Sequence, residues 1–322
     1  MRRFLALALA GSLGATAAHA ESRNDALGWL NKMTTAAKRL SYTGTFTFQS
    51  GGNSETFRIT HIVDATGEHE RLEVLDGSPR EVVRSNDEVK CFLPDEKVVL
   101  VESRGQQQSF PALLLSSSAN LGEHYTLRKG DISRVAGYTS QQIVLEPKDS
   151  LRYGHALWGE INTGLILKAR TLSERNEIIE QYTFNQLQIG GVIDKNALKS
   201  KFETESEAWR VHNTQAAQSR SAGGEWQFRA QLPGFRKVAG MKRVLAGQSG
   251  TDIFHFVFSD GLASISVFIE PLAEQKVETS TYSVGAINVY KRAQGEYLLT
   301  VLGEVPVGTL KQLGDGIAQK RK

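Results

Sequence analysis

The chain has 322 residues, 40% of them hydrophobic and 23% charged, which is more than one hydrophobic core usually fills, so two domains are expected. Its 38 basic residues, less the two arginines of the leader, face 35 acidic ones, which excludes the basic excess of a DNA or RNA binder; the Lys320-Arg321-Lys322 tail reads as a solvated terminus. A single cysteine, Cys91, excludes an internal disulfide and, among strand-like neighbours, reads as a small buried hydrophobe.

Arg2 and Arg3, an apolar run opening at Phe4 and a closing Ala18-His19-Ala20 read as a secretory signal peptide over residues 1–20, with the mature chain starting near Glu21. The run is about 15 residues, short of the roughly 20 that span a bilayer, so export by the general secretory route with no membrane anchor is expected. From Asp25 to Leu40, Leu27, Leu30, Met33 or Thr34, and Ala37 fall on one side of an amphipathic helix opened by Asn24-Asp25. At Tyr42 the period drops to two. Tyr42, Phe46 and Phe48 alternate with threonines, Thr56 to Thr60 repeat the pattern, and Ser50-Gly51-Gly52-Asn53 supply the tight turn between them. Further strands are expected at Glu70 to Leu75, Arg80 to Arg84, Glu88 to Leu93, Lys97 to Glu102, Ser133 to Thr139, Gln141 to Glu146, Tyr153 to Glu160, Leu165 to Ser173 and Glu177 to Ile189. Between the sixth and seventh, Gln106 to Ser118 enclose the apolar patch Phe110, Leu113, Leu114 and Leu115, read either as a plug for the sheet core or as a lid over a cavity.

Residues 211–225 lack large aliphatic side chains after Val211 and read as an interdomain linker. Beyond it, strands at Trp226 to Ala230, Phe235 to Leu245, Asp252 to Ser259, Ser264 to Glu270, Ile287 to Arg292 and Tyr297 to Leu302 predict a smaller antiparallel sheet. It closes with a helix over Pro306 to Ala318, with Val307, Leu310, Leu313 and Ile317 on one face.

Chemistry is sparse. The scattered histidines form no metal-ligand spacing, His69-Glu70 lacking a second His; Gly247-Gln248-Ser249-Gly250 lacks the last glycine of a nucleophile elbow and reads as a hairpin turn; no phosphate-binding glycine motif occurs. The acid pairs Asp95-Glu96 and Glu203 with Glu205 read as solvated edges, and His255, inside Phe254-His255-Phe256-Val257-Phe258, as a hydrogen-bonded sheet histidine. The expectation is a binding protein, not an enzyme, with no cofactor and no metal. Its most suggestive surface is the shared inward face of Tyr42, Phe46, Phe48, Phe57 and Ile59, which could hold either the fold or an acyl chain.

The strings Ser41-Tyr42-Thr43-Gly44-Thr45-Phe46, Gly67-Glu68-His69-Glu70-Arg71-Leu72, Lys90-Cys91-Phe92-Leu93-Pro94-Asp95, Leu151-Arg152-Tyr153-Gly154-His155, Phe258 to Ser264 and Val305-Pro306-Val307-Gly308 carry a resemblance to the RseB/MucB family, which spans nearly the whole mature chain. The resemblance implies a mainly β, α+β chain: an unclosed N-terminal barrel over 21–210, similar to the lipoprotein carriers LolA and LolB, a linker over 211–225 and a C-terminal sheet domain with helices over 226–322. It implies a periplasmic negative regulator of an envelope-stress sigma factor. Such a protein binds the periplasmic region of an anti-sigma factor of the RseA or MucA type, shields it from site-one proteolysis, and is released by lipopolysaccharide or another lipid. Tyr42, Phe46, Phe48, Phe57 and Ile59 would line the lipid cavity and Phe110, Leu113, Leu114 and Leu115 its lid. Partner-contact residues are not assigned, and self-association stays open. The alternative is a periplasmic lipid or lipoprotein carrier, which has no need of the second domain.

Overall fold

The structure, a computed structural model, describes residues 13–103, 121–213, 224–244, 252–272 and 278–320. The first helix, α1 (Leu13–Arg39), begins upstream of the expected Asp25, and its buried positions Ala26, Leu30, Met33 and Ala37 follow helical spacing. Two meanders follow. The first is β1 (Tyr42–Ser50), β2 (Asn53–Asp64), β3 (Gly67–Val74), β4 (Glu81–Ser85), β5 (Glu88–Leu93) and β6 (Val98–Ser103). After α2 (Leu121–His124), the second runs through β7 (Tyr125–Val135), β8 (Tyr138–Pro147), β9 (Gly154–Glu160), β10 (Ile166–Leu172) and β11 (Ile178–Ile189). The meanders join where β1 pairs antiparallel with β11, Tyr42 opposite Ile189. With β12 (Arg210–Asn213), twelve strands of the described residues form one sheet ordered β12-β6-β5-β4-β3-β2-β1-β11-β10-β9-β8-β7. The order ends at β12 on one side and β7 on the other, so the barrel is unclosed.

Helix α1 lies in the hollow and covers the β7 to β10 side, while β9 is buried along its whole length. Its outward residues Ala156 and Trp158 pack with Val135 and Leu167, and Lys168 and Arg170 extend their cations over the Trp158 ring. Helix and sheet approach closely at Gly159, where a Cβ would stand 2.7 Å from the Met33 methyl.

The smaller sheet is ordered β14-β15-β16-β19-β18-β17, built from β14 (Arg236–Val244), β15 (Asp252–Ser259), β16 (Ser264–Pro271), β17 (Ser280–Val284), β18 (Ile287–Gln294) and β19 (Tyr297–Gly303). Phe256, Ile265, Val267, Ile269, Leu299 and Val301 build its core, on which α3 (Val307–Asp315) places Leu310 and Leu313.

Four expectations need correction. Ser133 to Thr139 is not one strand: Ala136 and Gly137, at φ 48° and 86°, form the turn between β7 and β8. Val211 to Asn213 are not linker, because β12 pairs parallel with β6 and satisfies that strand's outer backbone groups. Trp226 to Phe228 (β13) join no large sheet but pair with β20 (Ile317–Gln319), where the final helix has already ended. Cys91 is half-buried, and burial raises its thiol pKa. Among the described residues no helix is long and apolar enough to cross a membrane. Residues 1–12, Phe110, Leu113, Leu114, Leu115, residues 214–223 and the Gly247 to Gly250 turn lie outside them.

Candidate functional site: the concave face and the joint between the sheets

Strand alternation sends Tyr42, Phe46 and Phe48 of β1 and Phe57 and Ile59 of β2 to the same concave face, and the structure brings all five together. Tyr42, Phe46, Phe57 and Ile59 are buried and Phe48 is half-buried against them. Phe46 is the centre of the group: its ring stacks on Phe57 at 5.0 Å and on Tyr182 at 4.2 Å, and meets Phe184 edge-on at 5.8 Å. Tyr182 and Phe184 come from β11 and were missed in the sequence, because only the β1 to β11 pairing places them beside Phe46.

At one end of this apolar surface a polar row crosses the strands in register: Tyr42 opposite His61, His61 opposite Glu70, Glu70 opposite Arg84. His61, Glu70 and Arg84 are all buried, Arg84 lying 4.0 Å from Glu70. His61 stacks under Tyr42 at 4.8 Å. Its Nδ1 is 2.8 Å from the Leu40 carbonyl, which only accepts, so that nitrogen carries the proton. Burial first, then the charges of Glu70 and Glu68, push the Tyr42 phenol well above its ordinary pKa, and its hydroxyl has no hydrogen-bond partner among the described residues.

The second feature is the joint where the small sheet meets the rim of the large one. Arg152, in the β8 to β9 connection, is wholly buried. Its guanidinium donates from Nε to Asp149 at 3.0 Å, from Nη1 to Asp260 Oδ2 at 2.6 Å and from Nη2 to the Pro233 carbonyl at 2.6 Å. Phe235 and Tyr125 present ring faces to it at 5.0 and 5.6 Å. Asp260 Oδ1 meanwhile accepts from the backbone N–H groups of Leu262 and Ala263, fixing the β15 to β16 turn. Around this pair Asn288 donates to the Tyr153 hydroxyl at 2.7 Å, Thr309 to the Leu151 carbonyl at 2.9 Å, and the Ala286 N–H to Glu180 at 3.0 Å. Leu262 packs into the large core and Leu151 into the small one. Gly285, at φ 61°, abuts Ser50 so closely that a Cβ would lie 1.9 Å from its hydroxyl.

Elsewhere the sites are quiet. His255 donates to or accepts from Ser266 at 3.1 Å and stacks on Phe268, as a sheet histidine does. Among the described residues no group of His, Cys, Asp or Glu is arranged to hold a metal ion.

Two sequence families account for this architecture. The MucB/RseB N-terminal domain matches residues 25–202 and the MucB/RseB C-terminal domain matches residues 220–318. The chain belongs to the MucB/RseB family. Its relatives in that family are sigma factor regulatory proteins. The sigma factor AlgU regulatory protein MucB of Pseudomonas aeruginosa is 32% identical over 97% of this chain and 96% of its own length. The sigma-E factor regulatory protein RseB of Haemophilus influenzae is 24% identical over 88% of each. A crystal structure of MucB in complex with MucA(peri) superposes with a TM-score of 0.72 at 28% identity, covering 92% of this chain and all of that one, and a crystal structure of MucB with 0.65. Within this MucB/RseB chain, three of the strings that carry the resemblance, Leu151 to His155, Phe258 to Ser264 and Val305 to Gly308, converge on the joint.

Proposed function

We propose that this chain is a periplasmic regulatory binding protein that holds the periplasmic region of a MucA- or RseA-type anti-sigma factor, shields it from site-one proteolysis and so restrains an envelope-stress sigma factor. The observation that carries the reading is the superposition on MucB as it stands in complex with MucA(peri), over 92% of this chain. The 32% identity to a MucB supports it. Residues 1–20 act as the removable leader; residues 21–213, which end in β12, and residues 226–322 form two lobes, with 214–225 between them. This is binding, not catalysis, and no cofactor takes part.

Release falls to a lipid, lipopolysaccharide or a relative of it, entering the concave face at Tyr42, Phe46, Phe48, Phe57 and Ile59. The Phe110 and Leu113 to Leu115 patch acts as its lid. Burying an acyl chain contributes about 0.8 kcal/mol per methylene, so seven methylenes supply the roughly 5.5 kcal/mol that moves a two-state equilibrium from nearly all bound to nearly all free. Lipid and partner must then oppose each other reciprocally.

The deciding experiment is titration of the mature chain with the periplasmic segment of its organism's anti-sigma factor, with and without lipopolysaccharide fragments. Tight binding abolished by the lipid is expected. Lipid retention with no partner binding would assign the chain to lipid or lipoprotein carriage instead.

A further inference from the structure

The Arg152–Asp260 pair divides its work between two tasks that sequence position alone would not connect. One carboxylate oxygen, Oδ1, holds the turn of its own sheet through Leu262 and Ala263. The other, Oδ2, reaches the guanidinium of the opposite sheet at 2.6 Å. Both side chains are fully shielded from water. The guanidinium is in turn held on three sides, by Asp149 of its own connection, by Asp260 and by the Pro233 carbonyl of the segment leading into β14. A planar fork with three fixed acceptors admits one orientation, unlike a greasy contact, which tolerates sliding. The Tyr125 hydroxyl also donates to Asp260 Oδ2 at 3.5 Å, and further bonds between the two sheets' residues come from Asn288, Thr309 and Ala286.

We propose that Arg152 and Asp260 are positioning residues for partner binding: the pair sets the angle between the two sheets, so that the surfaces both present to one partner are already in place before it arrives. The proposal rests on the reading that both lobes contact the anti-sigma segment. Preorganisation lowers the cost of binding, and a partner that finds only a tenth of the molecules in the competent arrangement binds about tenfold more weakly.

Asp260→Asn is the direct test. The asparagine keeps an oxygen for the Leu262 and Ala263 N–H groups but turns an amide donor toward the guanidinium donor, so the turn survives and the link is lost. The mature chain, with Cys91→Ser, carries spin labels on cysteines placed at Val192 beyond β11 and Val238 in β14, 97% and 61% exposed. The parent is expected to give one narrow distance distribution. Asp260→Asn should give a broad one, and should bind the periplasmic segment of the organism's own MucA-type anti-sigma factor at least tenfold more weakly, at a temperature where circular dichroism shows it folded. A narrow distribution in the variant overturns the proposal whether or not affinity falls, since a loss would then report direct contact. A broad distribution with unchanged affinity overturns it as well. No binding by the parent overturns the partner reading and this proposal with it, and the distances still report whether the pair sets the angle. Should Asp260→Asn fail to fold, Arg152→Lys, which keeps the charge but loses the fork, reads the same quantities.

Discussion

Burial leaves His155 neutral, its pKa lowered to about 4 and its Nε2 without a hydrogen-bond partner among the described residues. In the unfolded chain the ring takes a proton near its ordinary value of about 6.5. Its contribution to stability is therefore complete above about pH 6.5 and is lost on acidification toward 4, where it reaches roughly 3 kcal/mol. The melting temperature should fall across that window, and His155→Leu should flatten the fall; equal slopes in parent and variant would exclude this histidine as the cause. Glu304 works in the opposite sense. Partial desolvation, and then the charge of Glu180, raise its pKa to about 7. Its folded form holds a proton that the unfolded form gives up near 4.5, so stability is highest below that pH and declines as pH rises to 7. Glu304 keeps contact with water, so the effect is modest, and Glu304→Gln should remove it in urea melts at pH 5 and pH 8. Gly285→Ala would place a methyl against Ser50 and Glu180 at a positive φ and should cost about 1–3 kcal/mol by chemical denaturation.

Strand β12 is four exposed residues paired parallel to β6 at the edge of a large sheet. Its own side chains are all exposed, so Val211→Pro should change stability by no more than about 1 kcal/mol. It should also bare the β6 edge, and sedimentation should then show concentration-dependent self-association absent from the parent. That strand was illegible in the sequence because Arg210 to Asn213 carry no hydrophobic alternation; what their pairing supplies is partners for a neighbour's backbone. The same reason hid β17, exposed at all five positions, and β20, three residues long. Most strands with one buried face were readable to within a few residues, β5 and β15 at their full bounds, because period two is a local property; β7 was the exception, its buried Tyr125 and Leu127 lying well before the expected start at Ser133. The concave aromatics of β1 and β2 were readable on the same ground. The row His61, Glu70 and Arg84 was not, since in single strands each charge looks like an ordinary solvated residue and only the cross-strand register gathers them. Nor did any local pattern pair Arg152 with Asp260.

At the scale of the whole molecule, the joint makes each half dependent on the other for its charges. Arg152→Leu should cost the intact chain about 3–5 kcal/mol, the effect of stranding one member of a buried pair. In a fragment covering residues 21–213 the same change should cost little, because water then solvates the guanidinium. Equal losses in fragment and intact chain, measured by chemical denaturation, would show that Arg152 serves the large sheet alone.

The pairing of β1 with β11 sets a timetable for the molecule's biogenesis. Phe46 cannot meet Tyr182 and Phe184 until almost the entire first lobe has been made, since the strand that completes its surroundings is the last of that sheet's antiparallel run. Closing so long a loop before any reward is slow, on the millisecond to second scale typical of non-local β topologies. On the proposed export route, a first lobe that folds only when its last antiparallel strand has been made leaves the chain threadable. The same delay keeps its aromatic strands uncovered until β11 arrives, the interval in which a holdase chaperone would protect them.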